Sequence, residues 1–158
     1  MKKLIIYICL LLPVVAIQSC KKEFSPGNNY DFSNPLPPYA ALGSTAALDV
    51  ELDPDLVTPS SADFTFVLRT ALQQSVTLTY SVTGAITLSN QTAVIAKNTT
   101  SVAVSIPVAA GFPVDPVTQT ATATVTLTKA VAADGTILAL GANNVAANQK
   151  MNIVITQL

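Results

Sequence analysis

The chain has 158 residues, half of them hydrophobic, with eight Lys or Arg against nine Asp or Glu and a formal net charge of −1. So small and dispersed a charge excludes an electrostatic footprint for nucleic acid, which needs clustered Lys and Arg. The absence of histidine, with cysteine only at positions 9 and 20, excludes a Ser-His-Asp triad, a His or Cys metal site in the mature chain and a disulfide framework.

The first segment, MKKLIIYICLLLPVVAIQSC, places Lys2 and Lys3 before an apolar run over 4–17 that only Pro13 interrupts. That run is shorter than the roughly 20 apolar residues of a spanning helix and has the charged start and apolar middle of a secretory signal. It ends in Ile17-Gln18-Ser19-Cys20, which resembles a bacterial lipobox, with a branched aliphatic and a small residue before the cysteine. Gln18 is the one departure from that pattern. The expectation is a signal peptide over 1–19 that is removed, with a lipid on Cys20 as the membrane anchor. Lys21 follows the cysteine where aspartate would signal inner-membrane retention, so the resemblance implies the outer membrane, facing either the periplasm or the cell surface.

Residues 20–43 carry Pro26, Pro35, Pro37 and Pro38 among turn formers, and read as a lipidated N-terminus and extended tether. Lys21 and Lys22 either meet lipid headgroups or form a solvated leader. Tyr30, Phe32 and Tyr39 are positioned to pack the end of the tether onto the adjoining domain.

From 44 to 158 the text becomes short alternating runs between turn signals, the pattern of an all-β antiparallel sandwich. The runs are 46–52, 63–70, 75–82, 85–88, 93–96, 100–108, 118–128, 136–140 and 151–156, of which seven or eight are expected to pair. Phe64 and Phe66, then Val76, Leu78 and Tyr80, then Val102, Val104 and Ile106, and last Met151, Ile153 and Ile155 recur at period two and supply the expected core stripes. In TQTATATVTLTK, over 118–129, threonine alternates with Ala121, Ala123, Val125 and Leu127, which predicts a strand with one threonine face. Asp134-Gly135 predicts a tight turn.

SVTLTYSVTG, AVIAKNTTSVAVSIPV, TATATVTLTKAVAADGTILALG and the closing NIVI together resemble the strand succession of Calx-beta-like and related immunoglobulin-like modules over 63–155. The resemblance implies a Greek-key immunoglobulin-like sandwich of seven to eight strands. With its lipobox, the chain also resembles the small sandwich lipoproteins of Gram-negative envelopes that accompany polysaccharide-uptake systems.

One acidic cluster, LDVELDPDL over 48–56, alternates Asp49, Glu51, Asp53 and Asp55 with apolar residues. Calcium-binding Calx-beta modules carry acids at the sandwich ends, so the resemblance makes these four the calcium candidates. The acidic stretch those modules bear before a late strand is here VDPVTQTATA, with Asp115 alone. Acids on one straight strand face diverge, and the favoured reading is a charged outer face that protects a sheet edge, with no cofactor. A glycan site needs an exposed aromatic platform, which would have to come from Phe112 or the tether tyrosines. The expected function is a lipid-anchored envelope module without catalytic chemistry, partnered by an envelope protein. The alternative is an accessory carbohydrate-binding lipoprotein beside a glycan-uptake system.

Overall fold

The computed structural model describes residues 37–52, 59–142 and 146–158. The signal segment, Cys20 and most of the expected tether lie outside the described residues, as do Asp53 and Asp55.

Nine strands are described: β1 (Tyr39–Leu42), β2 (Leu48–Leu52), β3 (Ser60–Leu68), β4 (Val76–Gly84), β5 (Leu88–Ile95), β6 (Ser101–Val108), β7 (Thr120–Ala132), β8 (Ala139–Leu140) and β9 (Lys150–Gln157). A 3-10 turn, Ala146–Gln149, precedes β9. One sheet has the order β6-β3-β1-β8 and the other β2-β9-β7-β4-β5. The alternation read from the sequence sets what lies between them. Phe64 and Phe66 from the first sheet meet Tyr80 from the second, with ring centroids 5.3 to 6.1 Å apart. Val76, Leu78, Ile153 and Ile155 are fully buried around them. Every one of these side chains sits on the inward parity of its strand, and their burial is the main stabilising term of the fold.

The long ladders β3–β6, β4–β5, β4–β7 and β7–β9 are antiparallel. The two N-terminal strands depart from this. β1 runs antiparallel to β3 but parallel to β8, and β2 runs parallel to β9. The cause is a switch of sheets: the chain leaves β3 at Gly43, whose N–H donates to the Thr65 carbonyl at 2.9 Å, and rejoins the opposite sheet at Leu48. A Cβ on Gly43 would press on the Thr65 hydroxyl, so glycine is what lets the chain pass so close.

Two further differences from the sequence reading have local causes. The folded unit starts at Pro37, and Tyr39–Leu42, read as the end of the tether, is its first strand. In place of the expected runs 85–88 and 93–96 there is one strand, β5, which takes in only Leu88 of the first and carries a bulge opposite Ser81 where Asn90 takes a positive φ of 52°. The described residues therefore hold nine strands, counting the two-residue β8.

Three turns carry the long connections. At 132–136, Gly135 N–H donates to the Ala132 carbonyl and Ala132 N–H to the Thr136 carbonyl, both at 2.9 Å. Gly135, at φ 89°, takes the left-handed position that closes this three-residue hairpin loop. Asp115 organises the β6–β7 connection, and Gly84 ends β4 against β7.

Candidate functional site

Asp49 and Glu51 lie on β2, exposed and on one parity, while Leu48, Val50 and Leu52 face inward. Because Leu158 N–H donates to the Leu52 carbonyl, the even residues of β2 bond to β9 and the odd ones turn away from it, where the Glu51 carbonyl accepts from the Ser60 hydroxyl at 3.1 Å. Both acids are thus exposed on a strand that ends the described five-stranded sheet. Asp53 and Asp55 are outside the described residues. Among the described residues, no three His, Cys, Asp or Glu side chains gather as a metal-binding group.

The remaining carboxylates are engaged locally. Asp115 accepts from the backbone N–H groups of Val117 at 2.8 Å and Thr118 at 2.9 Å. Thr118 and then Val117 hold its carboxyl below the ordinary 3.8. Asp134 accepts from Gln74 Nε2 at 2.9 Å and from the Thr136 N–H at 2.9 Å, and Gln74 is the larger cause of its lowered pKa. Asp63 is lowered by Ser105 and then Ser61, whose hydroxyl donates to it at 2.9 Å. Asp115, the lone acid of its stretch, is thus a loop-fixing residue. The sequence signals Ser61 as a partner of Asp63, two residues away, but Gln74 is 60 residues from Asp134 and only the fold joins them.

The outer face of the five-stranded sheet is a regular polar surface. Thr79 of β4 sits opposite Thr92 of β5, Thr83 opposite Thr124 of β7, and Thr124 opposite Asn152 of β9, whose side-chain oxygen accepts from the Thr124 hydroxyl at 3.0 Å. The face expected for the threonines of 118–128 is here, with one change. Lys129 pairs with Thr79 and Leu127 with Tyr80, so Thr128 is an extra, bulged residue, and its hydroxyl donates to the Thr79 carbonyl at 3.0 Å. The adjacent polar pair Thr128-Lys129, between inward Leu127 and Ala130, is the sequence signal of that bulge.

The described aromatics do not stand on the surface. Phe64, Phe66 and Tyr80 are buried, and Tyr39 and Phe112 are half-buried. Burial also raises the Tyr80 phenol's pKa. Arg69 lies over the Tyr39 ring, 5.9 Å from its centroid, which ties the start of β1 to the end of β3. Two shallow depressions flank the sheet switch. One of about 300 Å³ is mainly apolar, between Ala46, Leu48, Phe64 and Met151, with Asp63 at its rim. The other, about 420 Å³, is more polar and lies beside Tyr39, Thr45 and Asn148. Neither brings an acid and a base, or a nucleophile and a base, together.

No protein family and no curated protein matches the sequence. Solved structures match the fold. The apo-form Calx CBD1 domain superposes with a TM-score of 0.50 at 8% identity, covering 77% of this chain and 98% of that one. CBD12 from CALX1.2 gives 0.49 at 6% identity, over 75% of this chain and 44% of that one. A two-domain protein with unknown function from Bacteroides fragilis gives 0.42 at 9% identity, over 80% and 47%. The domain is an immunoglobulin-like β-sandwich similar to the Calx-beta type, as the strand pattern led us to expect.

Proposed function

We propose that this chain is a lipid-anchored module of the bacterial outer membrane, held by Cys20, that acts as a structural or protein-interaction domain without catalytic chemistry. The observation that supports this best is the outer face of the five-stranded sheet. It is a broad plane of Thr79, Thr83, Thr92, Thr124 and Asn152, away from both depressions described above, in a domain whose described aromatics are all buried or half-buried. Such a face hydrogen-bonds over an area and does not enclose a small substrate. The alternative of accessory carbohydrate binding would need an aromatic on which a sugar ring stacks, and the described domain does not present one.

Expression of the full chain with a labelled fatty acid tests the anchor: label is expected on the wild type and absent from Cys20→Ser. Equal labelling of both would refute it. Affinity electrophoresis through polysaccharide gels tests the ligand class. Unretarded migration is expected, and retardation would favour the carbohydrate reading. Protease shaving of intact cells then decides between the surface and periplasmic faces, since only a displayed domain is lost while the outer membrane is unbroken.

A further inference from the structure

Among the described residues the two sheets have four outer edges, and three of them are closed to strand addition by visible devices. β2 carries Asp49 and Glu51 on its open side, β5 is bent by the bulge at Asn90, and β8 is two residues long. β6 is different. Its eight residues, SVAVSIPV, contain no charge and pair with β3 in unbroken register from Ser60↔Val108 to Val67↔Ser101.

The direction of its backbone groups is set by one bond. Leu68 N–H donates to the Thr100 carbonyl at 2.8 Å, on the same register line as Phe66↔Val102. Antiparallel ladders alternate, so the even residues of β6 exchange bonds with β3, and Ser101, Ala103 and Ser105 turn their N–H and C=O groups to the open side. Pro107 falls on this outward parity, where its missing N–H costs the β3 ladder nothing and ends the run of outward donors. On the inward parity of the same strand, Val102 and Val104 are only half-buried, whereas Ile106 is buried.

We propose that β6 is a homodimer edge: two copies of this chain pair β6 against β6 antiparallel about a two-fold axis at Ala103, joining their four-stranded sheets into one. In that register Ser101 faces Ser105 of the second copy and Ala103 faces its own equivalent, each pair exchanging both backbone bonds. Val102 then lies against Val104 of the other copy in the close, non-hydrogen-bonded position and completes its burial. Both copies of Pro107 fall beyond the ladder. A second copy is the occupant the strand fits because the edge is complementary to itself in donors, acceptors and apolar parity. Asp63, which neighbours Ser105, meets no second Asp63 across the axis, being two strands removed on the Val67 side.

Sedimentation equilibrium of the folded chain from micromolar to millimolar concentration tests this. The wild type is expected to dimerise reversibly. Ala103→Lys and Ala103→Glu, exposed substitutions that each place a like charge opposite itself, are each expected to be monomeric with an unchanged circular dichroism spectrum. Mixing the two is expected to restore the dimer, because only residue 103 meets its own equivalent. Asp49→Lys, on the guarded β2 edge, is expected to leave dimerisation unchanged. A wild type that stays monomeric throughout overturns the proposal. So does a dimer that survives Ala103→Lys, or two folded monomeric variants that fail to associate when mixed.

Discussion

Gly84 shows how a single position can limit what the sequence tolerates. It ends β4 at φ 102°, and a Cβ built there would stand 2.6 Å from the Thr122 carbonyl oxygen and 3.2 Å from the Ala123 Cα. Both neighbours are backbone of the adjacent strand, which cannot turn aside as a side chain would. Ala85 N–H donates to that same Thr122 carbonyl at 3.0 Å, so the clash and the hydrogen bond compete for one atom. Gly84→Ala is therefore expected to destabilise the fold by about 2 to 4 kcal/mol, from left-handed strain and displacement of β7 together. Urea denaturation measures it, and a loss below the error of the fit would mean the β4 end relaxes freely. Gly135→Ala is the contrast: its φ of 89° brings similar strain, but nothing lies within 4 Å of the added Cβ, so its loss should be smaller. Asp49 and Glu51 belong at this scale too. If they only guard an edge, millimolar calcium leaves the melting temperature unchanged, since a ligand that does not bind the native state cannot stabilise it. A rise of several degrees, abolished by Asp49→Asn, would restore the calcium reading.

At the scale of elements, β7 is the longest strand and the one whose parity changes midway. Its inward residues are Ala123, Val125 and Leu127, then Ala130 and Ala132, and the bulged Thr128 absorbs the change. Removing Thr128 leaves Leu127 inward, Lys129 outward and Ala130 inward, still opposite Tyr80, Thr79 and Leu78. The deletion is expected to fold, losing about 1 kcal/mol with the bond to the Thr79 carbonyl. Deleting Thr124 instead shifts residues 120–123 by one against both β4 and β9 and turns Ala123 outward, which should cost several times more. Equal melting temperatures for the two deletions would show that the bulge does not set the register. The same strand shows what was legible beforehand. Period-two stripes such as Val76-Leu78-Tyr80 and Met151-Ile153-Ile155 could be read because both faces differ sharply in polarity. β1 could not, since four residues behind two prolines carry no period, and β5 read as a break because an edge strand is polar on both sides at Ser89-Asn90-Gln91. The parallel pairings of β1 and β2 depend on where the chain switches sheets, which no local pattern encodes. For the same reason the acids were legible as residues, but Ser105 beside Asp63 and Gln74 beside Asp134, brought in across the fold, were not.

Over the whole molecule charge is scarce, and among the described residues three carboxylates titrate below their ordinary value in the folded chain. Asp63 lies on the four-stranded sheet, Asp115 in the β6–β7 connection and Asp134 in the hairpin after β7, and hydrogen bonds to the ionised form lower all three below 3.8. A depressed folded pKa means that the unfolded chain binds more protons in the interval between the two values. Stability from these groups is therefore fully present above the unfolded carboxylate pKa, and is lost as pH falls through the folded values. The wild type is expected to hold its melting temperature from neutral pH down to about 5 and to lose it progressively below about 4. Replacing Asp63, Asp115 and Asp134 together by Asn removes the titration while keeping one acceptor oxygen at each site. That variant should be less stable than the wild type at neutral pH, where charge-assisted bonds are replaced by weaker neutral ones. Its melting temperature should also fall less steeply into acid, so that the two curves converge. Parallel curves, with the same acid slope in both proteins, would show that the loss comes from carboxylates elsewhere in the chain and that these three sites are not what acid releases.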